Sequence, residues 1–171
     1  MKRVEIIYGG ASNEKEISYL TAKSIYEHID TDLYNPGLTD LSKFDPDNFD
    51  NETIFFIAVH GEGGEDGKIQ TLLENKKRKF TGSSSESCIL TWDKVATKRA
   101  LIANDILTPQ FKSIKNNEHF DFNDSFFAEN EHYFVKPNFN GSSYGISKVS
   151  DKKFNEALKE AKNYSTEVII E

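Results

Sequence analysis

The chain is poor in the residues that would tie it to an oxidising compartment or to a membrane. Its single cysteine, Cys88, in 171 residues excludes an internal disulfide framework and a cysteine-based zinc site, and fits a reducing cytoplasm. No apolar run approaches the roughly 20 residues that span a bilayer. Met1-Lys2-Arg3-Val4-Glu5 begins like the charged start of a signal peptide, but Glu5 and then Gly9-Gly10 interrupt any apolar stretch behind it. Basic residues are also in deficit. With 21 Lys and Arg against 28 Asp and Glu, the net charge of −7 excludes a broad cationic surface for nucleic acid or anionic lipid. No nucleic-acid or membrane partner is expected, and any phosphate binding must be local.

The rest of the composition is that of a soluble globular protein, with 37% apolar and 29% charged residues and enough length for one sizeable core or two small ones. Residues 4–8 form an apolar run ending at Gly9-Gly10, and Asn13 with Glu16 reads as a capping box opening a helix that carries Ile17, Leu20, Ile25 and Ile29. The same grammar recurs. The run 54–59 ends at His60-Gly61 and passes through Gly63, Gly64 and Gly67 into Ile69, Leu72 and Leu73 at helical spacing. Two strand, glycine turn and helix units predict a parallel sheet, with ligands gathered beyond the carboxyl ends of its strands. The acidic stretch between them, Asp40, Asp45, Asp47, Asp50 and Glu52, lacks the glycine and terminal glutamate of an EF-hand and reads as a solvated loop.

Residues 83–104 read as helical and are closed by Ile106-Leu107-Thr108-Pro109. Strands are predicted at 111–114, 132–136 and 146–149, an amphipathic helix at 151–164, and a last strand at 167–171, so the second half is α+β. Between two of these strands, Lys136-Pro137-Asn138-Phe139-Asn140-Gly141-Ser142-Ser143-Tyr144-Gly145 places a lysine at a strand end before a glycine-serine loop. Two readings stand for such a loop: a phosphate cradle of backbone N–H groups, hydroxyls and one ammonium, or a solvated turn between strands.

Three further segments decide between them. Gly9-Gly10-Ala11-Ser12-Asn13-Glu14 is followed by Glu16, Ser18 and Thr21; then comes His60-Gly61-Glu62-Gly63-Gly64-Glu65-Asp66-Gly67 with Gln70 and Glu74; then Thr81-Gly82-Ser83 with Ser87, Asp93-Lys94 and Thr97-Lys98. In this order, ahead of the Lys136 to Gly145 loop, they resemble the D-alanine-D-alanine ligases of the ATP-grasp superfamily over almost the whole chain. A dinucleotide fingerprint is disfavoured, because Asp66 stands where its third glycine would be and Gly9-Gly10 lacks the spacing.

The resemblance implies an α/β fold: an N-terminal parallel-sheet pre-ATP-grasp domain over residues 1–92, then the α+β first lobe of an ATP-grasp domain over 93–171. It implies that ATP phosphorylates one D-alanine carboxylate and that the amine of a second attacks the acyl phosphate, forming a dipeptide for peptidoglycan. Glu14 is expected to anchor the first D-alanine's ammonium, or else merely to complement a helix N-terminus. His60 is expected near the reacting carboxylate, or else as a turn residue. Lys94 and Lys136 are expected on the nucleotide's phosphates, with Gly141, Ser142 and Ser143 of the loop. Ser142 also joins the network of Glu14, and Glu171 meets the adenine amino group. Lys98 and Lys148 read as solvated lysines. Glu65 and Asp66 read as supporting residues of the His60 turn, with Asp66 also a candidate helix cap.

The resemblance further implies an N-terminal portion only. The chain is expected to lack a C-terminal lobe with its magnesium ligands, to be inactive alone, and to end within an apolar run that awaits a partner strand. Within this chain no metal ligand is expected. ATP, magnesium and D-alanine are the expected cofactors and substrates, a homodimer is the expected assembly, and D-lactate or D-serine remain open as second substrates. A non-catalytic dimerisation module, using apolar residues near positions 21–26, also remains open.

Overall fold

Residues 1–116, 118, 132–150 and 153–171 are described by the computed structural model, so the first two positions of the helix expected at 151–164 lie outside the described residues. The chain divides into two compact units, Met1–Ile89 and Leu90–Glu171.

In the first unit, strands β1 (Lys2–Tyr8), β2 (Tyr34–Asp40), β3 (Ile54–Ile57) and β4 (Lys79–Phe80) make one parallel sheet in the order β2-β1-β3-β4. Side chains alternate across a strand, so a strand covered on both faces must be apolar at successive positions. Val4, Ile6 and Ile7 meet that demand and are buried. Helix α1 (Lys15–His28) covers one face, where Ala22, Ile25 and Ile29 join Val4, Ile6 and Ala58. Helix α2 (Lys68–Asn75) covers the other, where Ile69 and Leu73 pack with Ile7, Phe55 and Val59. The acidic stretch winds into two short 3-10 turns, Leu41–Lys43 and Pro46–Asn48, each begun by an aspartate, Asp40 or Asp45, that accepts a backbone N–H.

The opening of α1 differs from the capping box read in the sequence. Glu14 is the N-cap residue and makes no side-chain cap bond. Ser12 does the local work instead: its Oγ accepts the Glu14 N–H at 3.2 Å and donates to the His60 carbonyl at 2.9 Å. Ile17 and Leu20, expected inward, are each 53% exposed, while Ser18 and Ala22 are the buried positions. Gly9 N–H donates to Ser18 Oγ, and that hydroxyl donates to the Ala58 carbonyl, both at 2.8 Å. A serine faces the sheet here because it stitches the two glycine turns together.

The stretch expected as one helical region is two helices, α3 (Ser85–Trp92), which crosses the division between the units, and α4 (Lys94–Ala103). Asp93 separates them and caps α4 by accepting the Ala96 N–H at 2.9 Å. Strands β5 (Lys112–Lys115), β6 (Tyr133–Pro137), β7 (Ser147–Val149) and β8 (Glu167–Ile170) form an antiparallel sheet in the order β5-β8-β6-β7. Helix α5 (Phe154–Lys162) presents Phe154, Ala157 and Ala161 to Ile114, Tyr133, Val135, Val168 and Ile170.

The apolar run 168–170 does not await a strand. β8 lies between β5 and β6, and Val168, Ile169 and Ile170 are fully buried. An inner strand covered on both faces is apolar for that reason. Alternation puts Phe134, Lys136, Ile169 and Glu171 on the face away from α5.

Candidate functional site

The turns after β1 and β3 bring Glu14 and His60 into one neighbourhood. Gly61 has φ +71°, and a methyl group added to it would lie 2.9 Å from Glu14 Oε2 and 3.0 Å from Ser12 Oγ. Glycine is needed there on both counts, for the left-handed backbone and for the close approach of the carboxylate. Gly64 is tighter still: an added methyl would stand 2.2 Å from the Val59 carbonyl oxygen. His60 Nε2 lies 3.0 Å from the Thr21 hydroxyl, and Nδ1 lies 3.6 Å from Glu65. The imidazole thus has a hydrogen-bond partner at Nε2 and an acidic neighbour at Nδ1, and is about one-third exposed. Asp66 accepts the Lys68 N–H at the start of α2 and meets the Lys68 ammonium at 3.1 Å. The Glu14 carboxylate at the start of α1 and the His60 imidazole after β3 can receive an ammonium and donate to an anion.

The second unit holds the lysines. Lys94, the first residue of α4, donates from Nζ to the carbonyls of Asn140 at 2.6 Å and Asn138 at 3.3 Å. Burial lowers its pKa from the ordinary lysine value, and the nearby positive charge of Lys136 lowers it further. Lys136 Nζ donates to Glu171 Oε2 at 2.6 Å and lies 5.4 Å from the Phe134 ring centroid. Burial pushes the Glu171 carboxyl upward, but hydrogen bonds from Lys136 and Lys98 more than reverse this and leave it below the ordinary value. Of the loop glycines, Gly145 takes the left-handed conformation (φ +73°), packed against Tyr164 and Pro137, whereas Gly141 does not. The Ser142 N–H is engaged by Asn140 Oδ1 at 3.2 Å, and the Ser143 carbonyl accepts the Ile146 N–H. Ser143 and Gly141 are exposed. Glu14 and His60 therefore belong to one unit, and Lys94, Lys136, Ser142 and Glu171 to the other.

Two residues of this neighbourhood escaped the sequence reading. Lys98 was expected in solvent, like the exposed Lys148, but is only 5% exposed, with Nζ bound to Thr108 Oγ1, Pro109 O and Glu171 Oε1. Its position one helical turn beyond Lys94 was the available signal, since residues four apart share a helix face. Asn138 is fully buried, accepts the Val95 N–H and donates to Asp93, and so fixes the start of α4 against the end of β6. Nothing in its immediate sequence marks it. Among the described residues no group of three or more His, Cys, Asp or Glu side chains is placed to hold a metal ion.

Comparison with known proteins extends these observations. A family model described as "D-ala D-ala ligase C-terminus" matches residues 101–171. The D-alanine-D-alanine ligase of Marinomonas sp. is 35% identical, over 98% of this chain and 55% of its own length. D-alanine-D-alanine ligase B of Clostridium perfringens is 34% identical, over 99% of this chain and 57% of its own length. Among solved structures, D-alanine-D-alanine ligase from Bacillus anthracis complexed with ATP superposes with a TM-score of 0.86 at 26% identity, covering 100% of this chain and 58% of that one. The chain spans a little over half the length of these relatives.

Three expectations are corrected by the family match. The chain is not an N-terminal portion only, because residues 101–171 match the C-terminal domain. The α/β, ATP-grasp-like character stands, but the antiparallel sheet of β5, β8, β6 and β7 belongs to that C-terminal domain and not to a first lobe preceding it. The chain therefore contains, and does not lack, C-terminal-domain sequence, and the inactivity inferred from that absence loses its ground. The buried run of β8, read as an unpaired end, lent that expectation support that its pairing on both sides removes. From end to end, this chain is similar to the D-alanine-D-alanine ligases, a family of ATP-dependent enzymes.

Proposed function

We propose that the protein is an ATP-dependent ligase that joins two D-alanines into the dipeptide used in peptidoglycan, working in the cytoplasm. The observation that carries this reading is the likeness to D-alanine-D-alanine ligases along nearly the whole chain, together with the two clusters just described. ATP phosphorylates the carboxylate of the first D-alanine, and the amine of the second displaces phosphate from the acyl phosphate. An anionic carboxylate meets an anionic triphosphate in the first step, so positive charge must be in place beforehand. Lys94 and Lys136 supply it.

Glu14 receives the ammonium of the first D-alanine, supported by its place against the glycine turn at Gly61. His60 donates to the forming acyl phosphate, and its contacts with Thr21 and Glu65 hold the ring for that task. Ser142 acts with Gly141 and Ser143 in the loop along the phosphates. Glu171 accepts from the adenine amino group. Magnesium, when bound, would neutralise phosphate charge, and no described residue is assigned to it. The reading divides the chain into a substrate-binding domain over 1–92 and a nucleotide-binding region over 93–171.

Mass spectrometry of the reaction mixture tests the proposal: ATP and D-alanine are expected to give D-alanyl-D-alanine. Protein that yields no dipeptide under these conditions would remove it. We also infer a homodimer, supported by the exposure of Ile17 and Leu20 on α1. Light scattering should give twice the monomer mass, and Leu20→Glu should return it to one.

A further inference from the structure

Lys98 is the deepest lysine side chain in the nucleotide-facing cluster, at 6% exposure, against 23% for Lys136. A buried ammonium is costly unless its charge is met and its hydrogens are bonded. Both conditions hold. Thr108 Oγ1 lies at 2.7 Å, Pro109 O at 2.9 Å and Glu171 Oε1 at 3.1 Å, and the Phe111 ring centroid lies 5.3 Å away. The other oxygen of the same carboxylate, Oε2, holds Lys136 at 2.6 Å. One carboxylate is thus shared between two ammonium groups, each on its own oxygen.

That sharing matters for any anion approaching Lys136. Paired with Glu171 alone, Lys136 would form a closed ion pair with little field left for a phosphate. With Lys98 on the opposite oxygen, the three-residue group carries one net positive charge, and Lys94, whose pKa responds to Lys136 and Glu171, adds a second. A carboxylate has about four acceptor sites, so both lysines can be held without crowding. Helix α4 supplies Lys94 and Lys98 four positions apart, and the pair reaches the sheet face that carries Lys136 and Glu171.

We propose that Lys98 is a positioning residue for the nucleotide's phosphates: by neutralising Glu171 at Oε1 it leaves the Lys136 ammonium, held at Oε2, with charge for an incoming anion. The inference rests on the reading of this sheet face as the ATP site. It makes no contact between Lys98 and ATP necessary.

Calorimetric titration with ATP and with adenosine tests it. Lys98→Met is expected to weaken ATP about tenfold and to change adenosine by less than about twofold, because only the triphosphate depends on the cluster's charge. Lys98→Arg should restore most of the ATP affinity. In a Glu171→Gln background the same Lys98→Met change should cost ATP affinity less than in the unsubstituted protein, since without the carboxylate Lys136 keeps its charge for the anion. Lys98→Gln, which keeps a donor for Thr108 and Pro109, gives the same pattern should the methionine variant not fold. Equal losses for ATP and adenosine would mean that Lys98 only supports the fold, and would overturn the proposal. So would an undiminished ATP affinity, or an equal loss in the Glu171→Gln background. If the unsubstituted protein binds ATP and only these patterns fail, the ligase reading stands; if it binds no ATP, both fall.

Discussion

Glu14 is a carboxylate brought against a glycine that has little room for a side chain, and this closeness supports the substrate-anchoring role proposed for it. Its Oε2 would lie 2.9 Å from a methyl at Gly61, so the carboxylate at the start of α1 also faces the turn after β3. Glu14→Gln removes the negative charge but keeps the shape. It is expected to raise the KM for D-alanine at least about tenfold, with ATP affinity unchanged, because an ammonium loses its charge-assisted partner; an unaltered KM in steady-state assays would take Glu14 out of the site. Gly64→Ala tests the same turn through stability. The added methyl would meet the Val59 carbonyl at 2.2 Å, and overpacking of this kind costs about 1–3 kcal/mol, readable as a lower thermal midpoint. At this scale a local pattern is enough to single out His60, Lys94 and Lys136 as candidates. The sequence was not legible at Lys98 or Asn138, whose importance comes from partners 73 and 45 positions away, Glu171 and Asp93.

Elements were readable where one periodicity dominates. β1 and β3 show continuous apolar runs because helices cover both faces of their sheet, and α2 shows Ile69 and Leu73 four apart. Helix α1 misled because Ser18 occupies the buried stripe to bond Gly9 and Ala58, displacing an apolar residue that the pattern would require. β8 misled more seriously. Its apolar run is the mark of an inner strand paired on both sides, not of an end awaiting a neighbour. Ile170→Ala should therefore cost about 2–5 kcal/mol, whereas Leu107→Ala, at a residue 99% exposed, should stay within about 0.5 kcal/mol. Chemical denaturation comparing the two variants checks this; similar midpoints would contradict the central position of β8. The last residue adds a pH dependence. Glu171 has its carboxyl held below the ordinary value of 4.5 by Lys136 and Lys98, so its stabilisation is present above that value and is lost as pH falls through the lower folded-state value. The difference in midpoint between the unsubstituted protein and Glu171→Gln should therefore shrink as pH is taken below 4.5. A difference that persists at the acid end would exclude this source.

For the whole molecule, the order of glycine turns, acid, imidazole and lysines led to the same proteins that the chain is found to resemble, while residues 101–171 were assigned to a first lobe instead of the C-terminal domain they match. Motif order survives in sequence because each motif is a local solution to binding a charged group. Which domain a segment belongs to is decided by long-range strand pairing, and the pairing of β8 with β5 and β6 joins residues that no local window relates. Likeness to D-alanine-D-alanine ligases covers nearly the entire chain but a little over half of the relatives, so activity has to be measured directly. The decisive measurement is coupled detection of ADP released from ATP, with D-alanine or L-alanine as the only added amino acid. ADP release that rises with D-alanine, does not rise with L-alanine, and collapses in Glu14→Gln and Lys136→Met is the predicted result. ATP turnover indifferent to D-alanine, or none at all, would contradict the account.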